Sequence, residues 1–288
     1  MMKLSISRFV VPAVLALAVP TLGCSGSASS TEPPVTADTA TTRAPVAQTA
    51  HGPLKVMGDA LGDVPLTASQ RAQIERLASD AEARHAQDRA ARKDLMLAVA
   101  AQVQAGQIDR AALQPKIDAL VATLQTQQPA DRAAFEQLHA LLTPDQRVAF
   151  VDALKARVGE RVHAAVEKHP MKQWAEDLKL TDDQKAQIKA AMQQRFEAMA
   201  KERGGERPWA QAKEHGEKVL SAFVQDRFVM DEVVPQKDLT QKVSRGSDRL
   251  LGMVEAALPV LTPEQRATAA QKIRDRADSV EETGEATP

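Results

Sequence analysis

The chain has no tyrosine, two tryptophans and six phenylalanines in 288 residues, a shortage that works against sheets, whose faces draw on aromatic and β-branched side chains. It has one cysteine, Cys24, so no internal disulfide can hold the fold. It has almost no net charge, because 37 basic and 38 acidic residues leave a formal −1, and so no global field steers it to nucleic acid. It also lacks a glycine-rich phosphate loop after a strand, a nucleophile elbow and a Cys–His arrangement in the mature body, so an enzymatic role is not expected and no cofactor is called for. What is plentiful is Ala, Leu, Gln, Glu, Lys and Arg within a composition that is 43% apolar. That mixture builds real cores from long helices, and the fold class that follows is all-α.

Long hydrophobic runs are absent except at the N-terminus, where Lys3 and Arg8 precede an apolar stretch over residues 9–22 interrupted by Pro12 and Pro20. The stretch is too short to span a bilayer comfortably and reads as a signal-peptide core, so residues 1–23 are expected to be a lipoprotein-type signal peptide. Thr21-Leu22-Gly23-Cys24 resembles a bacterial lipoprotein processing box, with its leucine two places before the cysteine instead of three. Cys24 is the expected lipidation site and membrane attachment; ordinary signal-peptidase cleavage a few residues later is the alternative. Residues 24–53 are rich in Ser, Thr, Ala and Pro, with almost no large apolar side chain to offset their ordering entropy. They are expected to form a disordered tether that lets a folded body clear a membrane surface.

The body is organised by a motif that occurs four times: Leu66-Thr67-Ala68-Ser69-Gln70, Leu142-Thr143-Pro144-Asp145-Gln146, Leu180-Thr181-Asp182-Asp183-Gln184 and Leu261-Thr262-Pro263-Glu264-Gln265. The first and third continue alike into Ala-Gln-Ile, and the second and fourth share Thr-Pro-acid-Gln-Arg, so the order is A-B-A-B. The A-to-B spacings are 76 and 81 residues, which points to duplication of a two-motif unit. Each copy is a helix start: the Thr hydroxyl accepts a backbone N–H, and Gln three residues on reaches back to the N–H of the cap. Pro144 and Pro263 take the first helical position, and acidic residues favour the first turn. One copy alone says nothing about function.

Apolar spacing places the helices. One runs from about residue 68 to 103 with Ile74, Leu77, Leu95, Val99 and Val103 on its apolar side, and its polar middle, residues 83–93, is expected to face solvent or a partner. Asp109 caps the next, which carries Leu113, Ile117, Leu120, Val121 and Leu124; Pro129 is expected to interrupt it before Phe135, Leu138 and Leu141. The B motif then opens a helix through Val148, Val151, Leu154 and Val158. In the second half one helix carries Ile188, Met192, Phe196 and Met199, another runs from about residue 209 to 233, a third presents Val243, Leu250, Val254 and Leu258, and the last starts at Pro263. The expected division is a first helical unit over 54–168, a second over 169–280, and a frayed tail over 281–288.

Paired Leu-Thr-x-x-Gln motifs in a chain of long helices resemble the Spy/CpxP family of bacterial periplasmic proteins, and two motif pairs carry the resemblance over roughly residues 60–280. It implies long-helix hairpins arranged as a cradle, with the tandem units forming an intramolecular pseudo-dimer, or the chain a homodimer. It also implies an ATP-independent chaperone or stress-response protein that binds unfolded or aggregation-prone envelope proteins on the periplasmic side of a Gram-negative cell. The residues themselves add that Arg76, Arg84, Arg89, Arg92 and Lys93, with Met192 and Met199, offer long cationic stems and soft thioethers suited to loose binding of many sequences; a solvated face and core methionines are the plainer reading. Some family relatives handle zinc, which makes a metal-binding or metal-resistance sensor the alternative function. Here His163 and Glu167 share a helix face with His169 nearby, but a closed site needs about four converging ligands. A structural lipoprotein or partner-binding module is the third reading.

Overall fold

The computed structural model describes residues 40–167, 170–202, 208–234 and 239–283. The expected signal peptide, Cys24, the first part of the expected tether, His169 and residues 284–288 lie outside them. The described chain is all-α apart from one pair of two-residue strands. In order it runs β1 (Thr41–Thr42), α1 (Gly52–Gly62), β2 (Leu66–Thr67), α2 (Ala68–Ala105), α3 (Arg110–Leu141), α4 (Pro144–Glu167), α5 (Pro170–Asp177), α6 (Asp182–Glu202), α7 (Pro208–Phe223), α8 (Met230–Val233), α9 (Leu239–Ala257) and α10 (Pro263–Thr283). No helix among the described residues is long and apolar enough to cross a membrane.

The 38 residues of α2 reach about 57 Å at the helical rise, and this length separates two hydrophobic cores. The first lies at the start of α2 and joins Leu61, Val64, Leu66, Ile74, Phe135, Leu142, Phe150 and Val151 to Phe223, Phe228 and Met230. The second lies at its far end and joins Val99, Val103, Leu113 and Ile117 to Leu178, Ile188, Leu251, Leu258 and Leu261. Each core therefore takes residues from both halves of the sequence. The tip of the α2–α3 hairpin is built into the core of the second motif pair, and the segment from α7 to α8 is built into the core of the first. Four of the six phenylalanines, Phe135, Phe150, Phe223 and Phe228, meet in the first core with ring centroids 4.7–5.4 Å apart. Burial of each side chain contributes about 1.5–3 kcal/mol.

The repeat extends beyond the motifs. α1 and α5 precede the two A motifs at equivalent positions, and each is followed within a few residues by a buried apolar residue, Val64 or Leu178. Asp63 pairs with Arg157 on α4 at 2.8 Å, and Asp177 with Lys272 on α10 at 2.5 Å. α5 is thus the counterpart of α1. The halves also differ: α10 lies along α2, whereas α4 is flanked chiefly by α1.

Several expectations change. Residues 40–53 do not behave as a tether: Val46, Ala47 and Ala50 are buried, and α1 already begins at Gly52. α3 runs unbroken through Pro115 and Pro129. A proline leaves the carbonyl four residues earlier without its amide partner. Those residues, Ala111 and Gln125, are exposed, where water can take over, while Gln128, Asp131 and Arg132 around Pro129 are buried and hold the helix. The helix expected over residues 209–233 ends at Phe223 and resumes only at Met230. On α4 the buried pair is Phe150 and Val151, with Val148 and Val158 outside, and on α9 Leu251 takes the core position expected of Leu250. α10 continues past the expected start of the tail to Thr283.

At the hairpin tip, Gly106 ends α2 with φ 83°, in the left-handed region. A Cβ placed there would stand 3.0 Å from the Arg266 guanidinium. Gly106→Ala is therefore expected to lower stability by about 1–2 kcal/mol in urea unfolding, whereas Gly159→Ala, a helical site with open space around it, should stabilise slightly.

Candidate functional site

All four motifs form the same cap. The Oγ1 atoms of Thr67, Thr143, Thr181 and Thr262 accept from the backbone N–H of the glutamine three residues on at 3.2–3.3 Å. Each glutamine Oε1 accepts from the backbone N–H of its threonine at 2.9–3.0 Å. The leucines point the other way, Leu66, Leu142 and Leu261 being buried and Leu180 packed on the second core. Thus the leucine before each cap packs into the cores between helices, and the basic side chain one turn into each helix is left for other contacts.

The glutamines then do a second thing. Within each unit, A and B meet as a reciprocal amide pair: Gln70 Nε2 donates to Gln146 Oε1 at 2.8 Å, and Gln146 Nε2 returns a bond to Gln70 Oε1 at 3.0 Å. The remaining amide hydrogens go to Leu141 O and Pro65 O, each at 2.7 Å. Gln184 and Gln265 repeat the exchange at 2.8 and 3.0 Å, with Val260 O and Leu178 O as backbone acceptors at 2.8 and 3.1 Å. Each amide so uses two donors and two acceptor sites. The second pair reaches one residue further back along the chain because Lys179 takes a left-handed φ of 51°. The sequence showed the caps but carried no sign that A and B caps touch.

The basic residue after each B glutamine reaches across to the other half. Buried Arg147 donates to Gln225 O and lies 3.4 Å from Asp226 Oδ1 in the turn after α7, with His139 Nε2 2.8 Å from the same Gln225 carbonyl. Arg266 lies against Gly106 at the tip of the first hairpin. Each motif pair thus grips the turn of the other half. Of the A motifs, Arg71 holds residues 42–44, and Lys185 pairs locally with Asp182 at 3.0 Å.

Between the two cores, the polar stretch of α2 expected to face solvent or a partner is partly turned inward, onto a polar stretch of α3. Asp88, Gln127, Asp131 and Arg132 are buried. His85 bridges two carboxylates, Nδ1 to Asp88 at 3.3 Å and Nε2 to Asp131 at 3.0 Å. Arg84 approaches Asp131 at 3.3 Å and Arg92 approaches Asp88 at 3.2 Å. Burial alone would lower the His85 pKa, but hydrogen bonds and charge from Asp131 and Asp88 outweigh it and raise the group to about 9.

This places the cations singled out by sequence. Arg84 and Arg92 belong to that buried cluster, Arg89 pairs with Glu82 at 2.7 Å, and Lys93 with Asp278 on α10 at 3.1 Å, while Arg76 stays exposed. Met192 packs on the second core and Met199 is half-buried. His163 and Glu167 are exposed on α4. Among the described residues no group of three or more potential ligands is gathered where a metal could sit.

Two outcomes follow. Gln70→Glu keeps the cap but turns a carboxylate oxygen onto the Leu141 carbonyl in place of a donor; it should cost about 1–3 kcal/mol at neutral pH, with part recovered in acid when the carboxyl can donate again. Chemical denaturation at pH 7 and pH 4 reads both. For His85, the folded-state pKa lies above the ordinary 6.5, so its contribution is complete below pH 6.5 and is lost as pH rises through about 9. The expected loss is on the order of 3 kcal/mol, and His85→Gln should remove that slope from a pH series of unfolding curves.

Comparison of the chain with protein-family models, with curated proteins and with solved structures finds no match, which leaves the paired motifs and their contacts as the ground for a functional reading.

Proposed function

We propose that this chain is an ATP-independent chaperone or stress-response protein of the bacterial envelope, of Spy/CpxP type, that binds unfolded or aggregation-prone proteins on its helical surface. The observation that carries the reading is the way each Leu-Thr-x-x-Gln pair closes by reciprocal glutamine bonds and grips the turn of the opposite half. That pattern supports an intramolecular pseudo-dimer, the arrangement the family resemblance implies for a tandem chain. Attachment to a membrane through Cys24 belongs to the same proposal.

The surface offers what a promiscuous binder needs. Phe196 and Leu250 are exposed on α6 and α9, with the Arg249 guanidinium 5.6 Å from the Phe196 ring, and Met199 is half-buried on α6. Apolar contact flanked by long cationic stems tolerates varied sequences. This face suits clients better than the α2 cations, four of which are held in ion pairs within the chain.

The purified chain is expected to suppress aggregation of a thermally unfolding client enzyme at near-stoichiometric ratio without ATP, and Phe196→Ser with Leu250→Ser should weaken suppression several-fold while leaving the unfolding midpoint unchanged. Light scattering that is the same with and without the chain at low salt would sink the reading.

A further inference from the structure

Residues 40–51 are held to the body largely through their own main chain. Thr41 and Thr42 pair antiparallel with Thr67 and Leu66. Arg71 donates to the carbonyls of Thr42 and Ala44 at 2.5 and 2.7 Å. Glu75 accepts from the Ala47 N–H at 2.9 Å, and Glu82 from the His51 N–H at 3.1 Å. Arg71, Glu75 and Glu82 fall four and seven residues apart along α2, so they line one helix face. Carbonyls and amides are common to almost every residue, so these three side chains read main chain more than a particular sequence; the chain they hold is extended at Thr41–Thr42 and turns over residues 47–50, where the Ala50 N–H donates to the Ala47 carbonyl at 3.0 Å.

Side chains add contacts of their own: Val46 packs into the first core, Ala47 and Ala50 are buried, the Arg43 guanidinium donates to the Asp63 carbonyl at 2.9 Å, Thr42 Oγ1 accepts from Arg71 at 3.2 Å, and the His51 ring meets Glu82 at 2.6 Å. Beside Ala47 lies an apolar hollow of about 50 Å³, bounded by Met57, Leu61, Ile74, Leu77 and Leu138. The segment is also strained in place. Ala47 takes φ 52°, a left-handed conformation that costs an L-residue about 1–2 kcal/mol. It approaches α1 so closely that a Cβ on Gly58 would stand 2.8 Å from the Ala47 Cβ.

From the backbone-directed contacts, the apolar hollow beside them and the strained occupant, we infer that this seat is a peptide-binding groove, filled in cis by residues 40–51 and open in trans to a segment of an unfolded protein that pairs as a strand, turns, and sets an apolar side chain at the hollow. The chaperone reading supplies the source of the segment, and in that respect the inference rests on it. The groove's preference for main chain over side chains stands on the contacts themselves. Because β1 precedes the body directly, whatever draws the N-terminal segment away also uncovers Arg71, Glu75, Glu82 and the hollow.

The test is fluorescence anisotropy with a labelled peptide of the sequence of residues 40–51, titrated with the wild-type chain and with Ala47→Pro. Proline can neither take φ 52° nor donate to Glu75, so the cis segment leaves while α2 is untouched. Ala47→Pro should bind the peptide at least tenfold more tightly than wild type, and adding Glu75→Ala and Glu82→Ala should abolish the gain. Equal binding by Ala47→Pro and wild type overturns the groove. Should Ala47→Pro lose its helical circular dichroism, Val46→Ser, which loosens the buried anchor and leaves the main-chain bonds possible, carries the same expectation and the same refutation. An aggregation assay on these proteins separates the two readings: suppression without peptide binding removes the groove and keeps the chaperone, and peptide binding without suppression keeps the groove and removes the chaperone.

Discussion

A carboxamide facing a carboxamide can do what no pair of charged or apolar side chains can, which is to give and receive at once in both directions. In each half of this chain the two motif glutamines use that property at the point where two helices start side by side. Each amide oxygen is already engaged with the N–H of its own cap, which fixes the orientation of the group and leaves its hydrogens aimed at the partner. Glutamate would satisfy a capping box equally well. Two glutamates here would set carboxylates about 3 Å apart, which strongly disfavours ionising both, and so the pairing, not the cap, accounts for glutamine at all four positions.

From that contact the architecture follows. Bringing the A and B helix starts together sends α2 and α3 out as a hairpin whose tip lies too far away to share the same core. It is received by the motif pair of the other half, under Arg266, while Arg147 receives the turn after α7. Neither motif pair has a complete core of its own, because Phe223, Phe228 and Met230 complete the first and Val99, Val103, Leu113 and Ile117 complete the second. Interlocking of this kind couples the halves, so unfolding of one removes apolar partners from the other, and a single cooperative transition is the natural outcome.

Much of this was legible in the residues, because caps are local. The start of α2 at Ala68, the cap at Asp109, the starts of α4 and α10 at Pro144 and Pro263, and the apolar faces of α2 and α3 all follow from signals within one or two turns. What escaped was decided at long range. Pro129 reads as a break until its neighbours are seen to be buried on another helix. Residues 224–229 read as helix until Arg147 and His139 are seen to hold Gln225. Residues 40–51 have the composition of a linker, and nothing in that composition announces that Arg71, Glu75 and Glu82 would bind their backbone. The reciprocal glutamine pairs themselves join residues 76 and 81 positions apart, beyond the reach of any local pattern.

The buried polar cluster around His85 has a geometric consequence. Apolar faces on two long helices tolerate sliding, since a shift by one turn, about 5.4 Å, again presents leucine-like surface to leucine-like surface. A histidine bridging Asp88 on α2 and Asp131 on α3 does not tolerate it, because a shifted α3 would leave a buried carboxylate without its partner, at a cost of several kcal/mol. Placed midway between the two cores, these charges act as a vernier that sets the axial register of the hairpin, and with it the distance between the two glutamine pairs.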